Sequence, residues 1–419
     1  MSGHCVIVGA GHASAQLCAS LRQANWDGPI TLIGGESHFP YHRPPLSKTQ
    51  LDPAADNALQ LLRPENFYET NQIDLKLGTM VDAIDRDKKE VKFGGELIAY
   101  DKLVLCTGSI HRRPPIDGIN NDKVFVLQTA GDAEKIRAAS VNGNRVVIVG
   151  GGFIGLEVAA SLSKRGLEVT VLELASRVLS RVTSREVSTF FEELHTSKGV
   201  NLKTGVTVNA IEETESGLAI RAADGQTFEA NFVVLGAGAT ANSALAEAAG
   251  LAVDNGIEVN EFNQTTDPDI YAIGDCCRQF QSLYQTSLRL ESVQNAVDQA
   301  KTAAFALTGN PKPHDALPWF WSDQYDVKLQ IAGVSNGYDR VVVRGTPRPG
   351  NSFSTWYFRG DQLLAVDAIN DAIVYAVGTK LLKAGWNPSA EDISNPDLET
   401  KQLLAIAKEK NNAGSTRPI

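Results

Sequence analysis

One pattern occurs twice in this chain of 419 residues and constrains its fold more than any other feature: a buried strand runs through a glycine-rich turn into a helix. The first copy has its strand at His4–Val8, its turn at Gly9–Ser14 and its helix from Ala15 to Arg22. Another apolar strand, Ile30–Ile33, follows the helix. Strands that alternate with helices predict a parallel sheet, so we expect an α/β unit at the amino terminus.

The second copy has the full glycine pattern of a dinucleotide site. The strand Arg145–Val149 leads into Gly150-Gly151-Gly152-Phe153-Ile154-Gly155 and a helix that extends to about Arg165. Glu173 ends the next strand, which begins at Val169. Glycines let the backbone approach a pyrophosphate, the amino end of the helix holds its charge, and the carboxylate binds ribose hydroxyls. The sequence therefore predicts a dinucleotide site here, with a plain tight turn as the alternative.

The first turn departs from the full pattern. Ser14 stands where a third glycine or alanine is expected, although serine is small enough for close helix packing. Glu36 is either the matching ribose ligand or a solvated loop carboxylate. Two nucleotide sites in one chain suggest two dinucleotides that meet, which is how flavin and nicotinamide cofactors exchange a hydride.

The remaining sequence predicts further parallel strands and then a separate antiparallel domain. Strand-like runs that end in glycine recur at Leu103–Gly108, Phe232–Gly236 and Ile270–Gly274. Glu291-Ser292-Val293 opens a helix with apolar residues at helical spacing, and from about Pro318 the apolar residues alternate as in antiparallel strands. The polar stretch from Asn411 to the carboxyl terminus is expected to be a loose tail.

Charge and cysteine usage exclude several classes of protein. With 39 basic and 49 acidic residues the net charge is -10, which disfavours nucleic acid and anionic membranes as partners. No secretion signal and no long apolar run occurs, so a cytoplasmic protein without membrane spans is expected. No metal site is predicted, because the histidines form no ligand cluster and no C-x-x-C motif occurs among the five cysteines, Cys5, Cys18, Cys106, Cys276 and Cys277.

Taken together, the motifs resemble those of the FAD-dependent NADH:ferredoxin reductases of bacterial Rieske dioxygenase and cytochrome P450 systems, which are putidaredoxin-reductase-like flavoproteins of the glutathione-reductase fold. The resemblance covers essentially the whole chain. Besides the two glycine turns, it rests on these runs: Tyr41-His42-Arg43-Pro44-Pro45-Leu46-Ser47-Lys48, Thr107-Gly108-Ser109, Tyr271-Ala272-Ile273-Gly274-Asp275, Glu291-Ser292-Val293-Gln294-Asn295-Ala296 and Pro318-Trp319-Phe320-Trp321-Ser322-Asp323-Gln324.

The resemblance implies an α/β fold with two Rossmann-like dinucleotide-binding domains, the second inserted in the first, and a carboxyl-terminal α+β domain with an antiparallel sheet. The implied boundaries are 1–110 with 239–316 for the FAD-binding domain, 111–238 for the NAD-binding domain, and 317–419 for a domain that covers the flavin and docks ferredoxin. Four residues, Gly35, His42, Cys106 and Gln128, depart from the family pattern around the adenosine half of FAD.

The resemblance also implies the site residues. Lys48 and Glu157 are expected at the reaction centre, Lys48 beside the flavin ring and Glu157 near the nicotinamide. The residues expected to bind FAD are Gly9, Gly11, Ala13, Ser14, Glu36, Arg43, Pro45, Lys48, Val81, Thr107, Gly108, Asp275, Glu291, Val293 and Trp321. Those expected to bind NAD are Gly150, Gly152, Phe153, Ile154, Gly155, Glu157, Glu173, Gly236 and Gly238.

The implied activity is hydride transfer from NADH to FAD, followed by release of single electrons to a [2Fe-2S] ferredoxin. Disulfide reductases of this fold carry a redox cysteine pair in the first domain, but residues 19–105 contain no cysteine. Two alternatives stay open: an NADH-sensing interaction protein resembling apoptosis-inducing factor, and a rubredoxin reductase or NADH oxidase. A monomer or a homodimer is expected.

Overall fold

The computed structural model describes residues 2–52 and 58–415, with side chains as far as residue 411. Contacts divide the chain into two compact units. The first comprises Met1–Arg43, Ala58–Ile110 and Ala239–Ala316, and the second comprises Pro44–Asn57, His111–Gly238 and Leu317–Ile419. This division splits the Tyr41–Lys48 run after Arg43, so that its part from Pro44 onwards belongs to the second unit. The three predicted domain boundaries stay a prediction.

The first unit is built on a five-stranded parallel sheet that comprises β1 (Cys5–Val8), β2 (Ile30–Gly34), β3 (Ile73–Leu77), β7 (Lys102–Leu105) and β19 (Ile270–Ala272). The strands lie side by side in the order β19-β7-β1-β2-β3. Its helices are α1 (His12–Gln23), α2 (Asn66–Thr70), α6 (Ala244–Ala248) and α7 (Val293–Leu307), of which α1 and α7 pack against each other.

Both faces of this sheet are buried, as β1 shows. Cys5 and Ile7 pack into a cluster with helices α1 and α7, whereas Val6 and Val8 pack into a second cluster with an antiparallel sheet. That sheet comprises β4 (Val81–Asp85), β5 (Glu90–Phe93) and β6 (Glu96–Ala99). The unit also contains a three-stranded sheet of β18 (Ile257–Val259), β20 (Cys277–Gln281) and β21 (Thr286–Leu288), and a ribbon of β8 (Ser109–His111) with β17 (Ala239–Ala241). A strand buried on both faces explains the continuous apolar runs in the sequence.

The second unit repeats the parallel architecture, with the strand order β12-β11-β10-β16-β9. The strands are β9 (Val124–Phe125), β10 (Arg145–Val149), β11 (Glu168–Glu173), β12 (Asn201–Thr204) and β16 (Phe232–Leu235). The helices are α3 (Ala130–Ala139), α4 (Phe153–Lys164) and α5 (Arg185–Ser197), and an antiparallel sheet contains β13 (Val208–Thr214), β14 (Gly217–Ala222) and β15 (Thr227–Ala230).

The carboxyl-terminal part of this unit is an antiparallel sheet in the order β22-β23-β26-β25-β24. Its strands are β22 (Trp319–Gln324), β23 (Val327–Gly333), β24 (Arg340–Gly345), β25 (Phe353–Arg359) and β26 (Gln362–Ile369). The helices α8 (Ala372–Ala384), α9 (Ala390–Ser394) and α10 (Gln402–Ser415) follow. The predicted fold class is confirmed in both parallel sheets and in this antiparallel one.

Two local expectations are wrong. Helix α1 begins at His12 rather than Ala15, because Gly11 is already its N-cap and the turn runs directly into the first helical residue. The expected loose tail from Asn411 is helical as far as Ser415, and residues 416–419 lie outside the described part of the chain.

A short stretch of the second unit, residues 44–52, contains two 3₁₀ helices, Pro44–Ser47 and Thr49–Leu51. We call it the lysine segment because it carries Lys48. Ser161 on α4 donates a hydrogen bond to the Ser47 carbonyl at 2.7 Å. The guanidinium groups of Arg137 and Arg165 donate to the carbonyls of residues 50 and 51. The segment is therefore anchored through its backbone.

Within the ranges that the structure describes, no helix is both long enough and apolar enough to span a lipid bilayer.

Candidate functional site

The first glycine turn follows β1 at the carboxyl edge of the parallel sheet. Gly9 has a φ of +105°, and a Cβ atom there would lie 2.2 Å from the Cys106 carbonyl oxygen, so only glycine fits. A Cβ on Gly11 would meet no atom within 4 Å, so this residue borders open space at the start of α1. The amino end of a helix with open space beside it suits the pyrophosphate of FAD, because the free N–H groups point toward that space.

Ser14 shows how a serine replaces the third glycine of this turn. It is fully buried, and its hydroxyl accepts a hydrogen bond from the Gly11 N–H at 2.9 Å and donates one to the Gly11 carbonyl at 3.0 Å. The polar group is satisfied within the turn, so the helix can still pack closely. Ala13, the other small residue of the turn, is buried as well.

His12, the first residue of α1, was not predicted as a site residue. Its Nε2 atom is buried without a hydrogen-bond partner, and its ring lies 5.5 Å from the ring of His42 in an edge-on arrangement. Burial, and to a lesser extent the nearby His42 and Arg43, lower the pKa of His12 to about 4. An unpaired ring nitrogen at the open end of α1 adds a polar group that fits an anionic ligand.

Glu36 is held by two neighbouring side chains, and its assignment to FAD stays a prediction. It accepts hydrogen bonds from the Tyr41 hydroxyl at 2.7 Å and from the Arg43 guanidinium at 2.5 Å. The Arg43 guanidinium also lies over the Tyr41 ring. The structure thus joins two predicted FAD residues, Glu36 and Arg43, in one ion pair.

At the end of β7, the Thr107-Gly108 run is held by a residue that the sequence did not indicate. The Thr107 hydroxyl donates to the Asn242 carbonyl at 2.6 Å, and the Asn242 N–H donates to the Gly108 carbonyl at 2.9 Å.

Val81, another predicted FAD residue, begins β4 and is half-buried against the second core cluster of this unit.

Asp275 follows β19 and lies near the start of α7. The Ser109 hydroxyl donates to its carboxylate at 3.4 Å, and burial together with the nearby Glu291 carboxylate raises the pKa of Asp275 to about 7. Glu291 is paired with Arg289 at 2.5 Å. Val293 is the first residue of α7, whose N-cap Ser292 accepts a hydrogen bond from the Asn295 N–H at 3.1 Å. A half-buried carboxyl beside a helix amino end suits a polar ligand such as the ribityl chain.

The second glycine turn has the same geometry in the other parallel sheet. Gly150 has a φ of +115°, and a Cβ atom there would lie 2.3 Å from the Gly236 carbonyl oxygen. Gly152, the N-cap of α4, borders open space, as Gly11 does. The residues present therefore fit the pyrophosphate of a pyridine nucleotide.

Glu173 ends β11 beside this turn. Its carboxylate accepts hydrogen bonds from the Gly151 N–H at 2.6 Å and the Ala175 N–H at 2.7 Å, which fixes it against the turn backbone. Arg177 instead directs its guanidinium into its own loop, where it donates to Ser188 Oγ at 2.5 Å and to the carbonyls of residues 180 and 184. The charged group that lies beside the second glycine turn is therefore the Glu173 carboxylate rather than the Arg177 guanidinium.

The other predicted NAD residues surround the same turn. Ile154 is 49% exposed although it lies in the first turn of α4, and Phe153 packs against Phe320 with ring centroids 4.7 Å apart. Gly236 donates its N–H to the Val149 carbonyl, and Gly238 accepts from the Arg112 N–H. An exposed isoleucine beside an open helix end leaves an apolar surface for a ligand.

The two predicted reaction-centre residues contact each other directly. Lys48 Nζ lies 2.6 Å from Glu157 Oε2, and the Ser47 hydroxyl donates to the same oxygen at 2.5 Å. The Ser322 hydroxyl donates to the other oxygen, Oε1, at 2.7 Å. The Glu157 side chain is only 8% exposed, so this carboxylate is a buried anion held by three donors.

The tryptophans of the Pro318–Gln324 run stack along β22. The rings of Trp319 and Trp321 lie 5.4 Å apart, and both residues are half-buried. Pro45 is also half-buried, in the lysine segment. The assignment of Pro45, Lys48 and Trp321 to FAD stays a prediction, as does the rest of the site list.

All five cysteines are buried with free thiols, and burial raises their pKa values. The neighbours Cys276 and Cys277 form no disulfide and pack in the core of the first unit, as expected. A buried thiol with a raised pKa is a poor nucleophile.

Sequence reasoning missed the groups that hold predicted residues in place: Asn242 beside Thr107, and Ser47 and Ser322 on Glu157. Ser47 and Ser322 lie in runs already singled out, but nothing in the sequence indicates that they meet Glu157. Asn242 carried no signal at all.

Comparison with known proteins identifies the class. The family described as pyridine nucleotide-disulphide oxidoreductase matches residues 3–300, and the family described as reductase C-terminal matches residues 319–404. The chain therefore belongs to the pyridine nucleotide-disulphide oxidoreductase family.

Particular relatives narrow this class. Putidaredoxin reductase CamA of Pseudomonas putida is 40% identical over 412 residues, covering 96% of this chain and 97% of the relative. Rhodocoxin reductase of Rhodococcus erythropolis is 41% identical over 410 residues, covering 97% and 95%. The crystal structure of the covalent putidaredoxin reductase-putidaredoxin complex matches with a TM-score of 0.93 at 40% identity, covering 97% of this chain and 99% of that chain.

The chain is thus a flavoprotein oxidoreductase of the putidaredoxin-reductase type, a ferredoxin reductase that uses FAD with NADH or NADPH. Its relatives include the reductases of an anthranilate dioxygenase system and of a CYP199A2 system. The resemblance inferred from the motifs is confirmed.

Proposed function

We propose that this enzyme takes a hydride from NADH on bound FAD and passes the two electrons, one at a time, to two molecules of a [2Fe-2S] ferredoxin that supplies an oxygenase. One NADH yields one NAD⁺, two reduced ferredoxins and one released proton. Bound FAD supplies the conversion from a two-electron donor to a one-electron acceptor. The protein supplies binding, orientation and charge.

The observation that carries the proposal is the state of the cysteines. A disulfide reductase of this fold needs a reactive thiol pair to carry electrons away from the flavin, but every cysteine here is buried and unpaired. Electrons therefore leave FAD directly, which matches a ferredoxin acceptor. The similarity to the structure of a reductase bound to putidaredoxin supports the same conclusion.

We assign the FAD pyrophosphate to the amino end of α1, where Gly11 borders open space and the buried His12 Nε2 atom has no hydrogen-bond partner. Asp275 is placed to accept a ribityl hydroxyl, and the amino end of α7 at Val293 adds a favourable dipole for negative charge, worth about 0.3 to 2 kcal/mol. Glu36 and Arg43 act there as a pair.

We assign the nucleotide specificity to Glu173. Its carboxylate would accept the adenosine ribose hydroxyls and would repel a 2′-phosphate, so NADH is preferred over NADPH. Arg177 cannot reverse this preference without breaking its bonds to Ser188 and to the loop carbonyls.

Lys48 and Glu157 form the polar group of the reaction centre. The ammonium is neutralised by a buried carboxylate, so a cation can lie in a half-buried position at lower cost than a lone lysine. The fixed pair orients the lysine side chain, and the lysine would in turn supply a positive charge to stabilise negative charge on bound FAD.

The docking surface for ferredoxin is not assigned, but the structure separates five candidate basic residues by their contacts and exposure: Arg289, Lys301, Lys328, Arg340 and Arg344. Arg344 donates to the carbonyls of Ile393, Asn395 and Leu398, which is a structural role, and Arg289 is only 10% exposed. Lys301, Lys328 and Arg340 stay exposed in the part of the chain described here.

The test of the acceptor uses the FAD-loaded enzyme under anaerobic conditions. NADH should bleach the flavin, and the reduced enzyme should then reduce a [2Fe-2S] ferredoxin, measured through cytochrome c. Rapid reduction of rubredoxin or oxygen with slow reduction of every [2Fe-2S] ferredoxin would contradict the proposal. Slow turnover with all acceptors, together with an NADH-dependent change in oligomer size, would favour a sensing role instead.

The test of specificity compares Glu173→Ala with Glu168→Ala, which removes an exposed carboxylate from the start of the same strand. We expect Glu173→Ala to lower the ratio of kcat/KM for NADH to kcat/KM for NADPH by about tenfold or more. Glu168→Ala should leave this ratio unchanged. Unchanged kinetics with both nucleotides in Glu173→Ala would refute the assignment.

A further inference from the structure

A line of buried polar side chains lies behind Glu157. Gln324 Nε2 donates to Ser322 Oγ at 3.1 Å, and His195 Nε2 lies 2.8 Å from Gln324 Oε1. Ser322, Gln324 and His195 are each at most 1% exposed. The line joins α5 and β22 to the carboxylate on α4, and all of it lies within the second unit.

The donor and acceptor roles along this line are fixed by chemistry. An ionised carboxylate only accepts, so the Ser322 hydroxyl must give its single proton to Glu157. Ser322 must then accept from the amide of Gln324, which turns the Gln324 carbonyl oxygen toward His195. His195 must carry its proton on Nε2, and burial, which lowers the pKa of His195, keeps the ring neutral.

The His195 Nδ1 atom has no partner, but the line is stiff at its centre because the Gln324 amide cannot turn without leaving further buried groups unpaired. Turning the Gln324 amide would place two donors together at His195 and two acceptors together at Ser322. An unpaired polar atom at full burial costs more than the bond itself stabilises. The Ser322 hydroxyl, the third donor to Glu157, is therefore held in one direction and is fully buried, whereas the Lys48 side chain is 23% exposed.

We propose that Ser322, Gln324 and His195 are positioning residues that fix the Glu157 carboxylate and, through it, the Lys48 ammonium. This rests on the proposed function, in which Lys48 and Glu157 act at the reaction centre. The antiparallel carboxyl-terminal sheet thus contributes to the reaction through β22, by holding Glu157 of helix α4.

The experiment compares Ser322→Ala with Ser354→Ala in the FAD-loaded enzyme. Ser354 is the matched control, because it is a 1% exposed serine of the same sheet whose hydroxyl contacts Trp356 rather than Glu157. Anaerobic stopped-flow gives the limiting rate constant of flavin reduction and the Kd for NADH separately. We expect Ser322→Ala to lower the rate constant about tenfold with Kd within about twofold, and Ser354→Ala to change neither.

A double-mutant cycle tests whether Ser322 acts through Glu157. In the Glu157→Gln background, Ser322→Ala should lower the rate constant by no more than about twofold, because the group that it positions is already altered. Gln324→Met, which keeps the length of the side chain but removes both polar atoms, should lower the rate constant about three- to tenfold. It provides the same test should Ser322→Ala not fold.

A readout without turnover follows the Lys48 amine itself. Trace labelling with acetic anhydride and mass spectrometry should show Lys48 labelled about fivefold faster in Ser322→Ala and Gln324→Met than in wild type or Ser354→Ala. A merely structural role would lower the melting temperature without changing this labelling.

The outcomes separate the two proposals. If Glu157→Gln slows flavin reduction but Ser322→Ala and Gln324→Met do not, the positioning line is overturned and the proposed function stands. If Glu157→Gln and Lys48→Ala both leave flavin reduction unchanged, the proposed reaction centre fails and the positioning role fails with it.

Discussion

Asp367 on β26 predicts an unusual dependence of stability on pH. The side chain is fully buried, and one carboxylate oxygen accepts a hydrogen bond from the Tyr357 hydroxyl while the other, Oδ1, has no partner. Tyr357 in turn accepts from the Ser184 N–H at 2.9 Å and from the Thr355 hydroxyl at 3.1 Å. Burial raises the pKa of Asp367 from 3.8 to about 7.

The sign follows from proton binding. Between pH 4 and pH 7 the folded chain holds a proton on Asp367 that the unfolded chain has already released, so stability falls as the pH rises through this window. Above pH 7 both states are ionised and the loss is complete. At 1.36 kcal/mol for each pKa unit, the free energy of unfolding should fall by about 3 kcal/mol from pH 5 to pH 8 on account of this one group.

The assay compares wild type with Asp367→Asn, which keeps an acceptor for Tyr357 but does not titrate. Unfolding of the carboxyl-terminal sheet is followed by hydrogen exchange of the β25 and β26 amides between pH 5 and pH 8, corrected for the intrinsic exchange rate. Asp275, whose pKa is also raised to about 7, titrates in both proteins and cancels in the difference. A difference that does not change with pH would refute the reasoning.

Two further predictions concern the nucleotide turn and the thiols. Gly152→Ala should leave the melting temperature within about 2 °C of wild type and weaken NADH binding about tenfold. Gly155→Ala should weaken NADH binding and also lower the melting temperature, because its Cβ atom would lie 2.1 Å from the Gly150 carbonyl oxygen. Equal melting temperatures for both variants, measured by calorimetry, would contradict this. The native enzyme should keep full ferredoxin reduction after iodoacetamide treatment at pH 8, because all five thiols are buried; loss of activity with labelling of Cys276 would show a reactive thiol.

The two nucleotide turns could be predicted from sequence because their requirements are local. A strand, a glycine with positive φ and a helix amino end lie within about a dozen residues, and each leaves its own mark in residue type. The same reason explains the success with α7, which begins at Val293 as its apolar spacing and serine N-cap indicate.

The partners of the site residues could not be predicted, because they are set by contacts between distant segments. Ser322 meets Glu157 across 165 residues of chain, and the direction of a side chain such as Arg177 depends on how its loop closes. Arg177 is close to Glu173 in the sequence, but the sequence does not show that its guanidinium bonds within its own loop. The start of α1 was predicted too late in the sequence, because a glycine N-cap has no side chain that marks the start of a helix.

The anchoring of the lysine segment has a consequence for how this enzyme can change. Ser161, Arg137 and Arg165 bind carbonyl groups, which every amino acid possesses, so this part of the anchoring does not depend on which side chains the exposed positions of the segment carry. Exposed positions such as Thr49 can therefore be exchanged in libraries or by natural drift while the ammonium next to them keeps its place. Substitution at these exposed positions can therefore change the surface around Lys48 while the position of its ammonium group is kept.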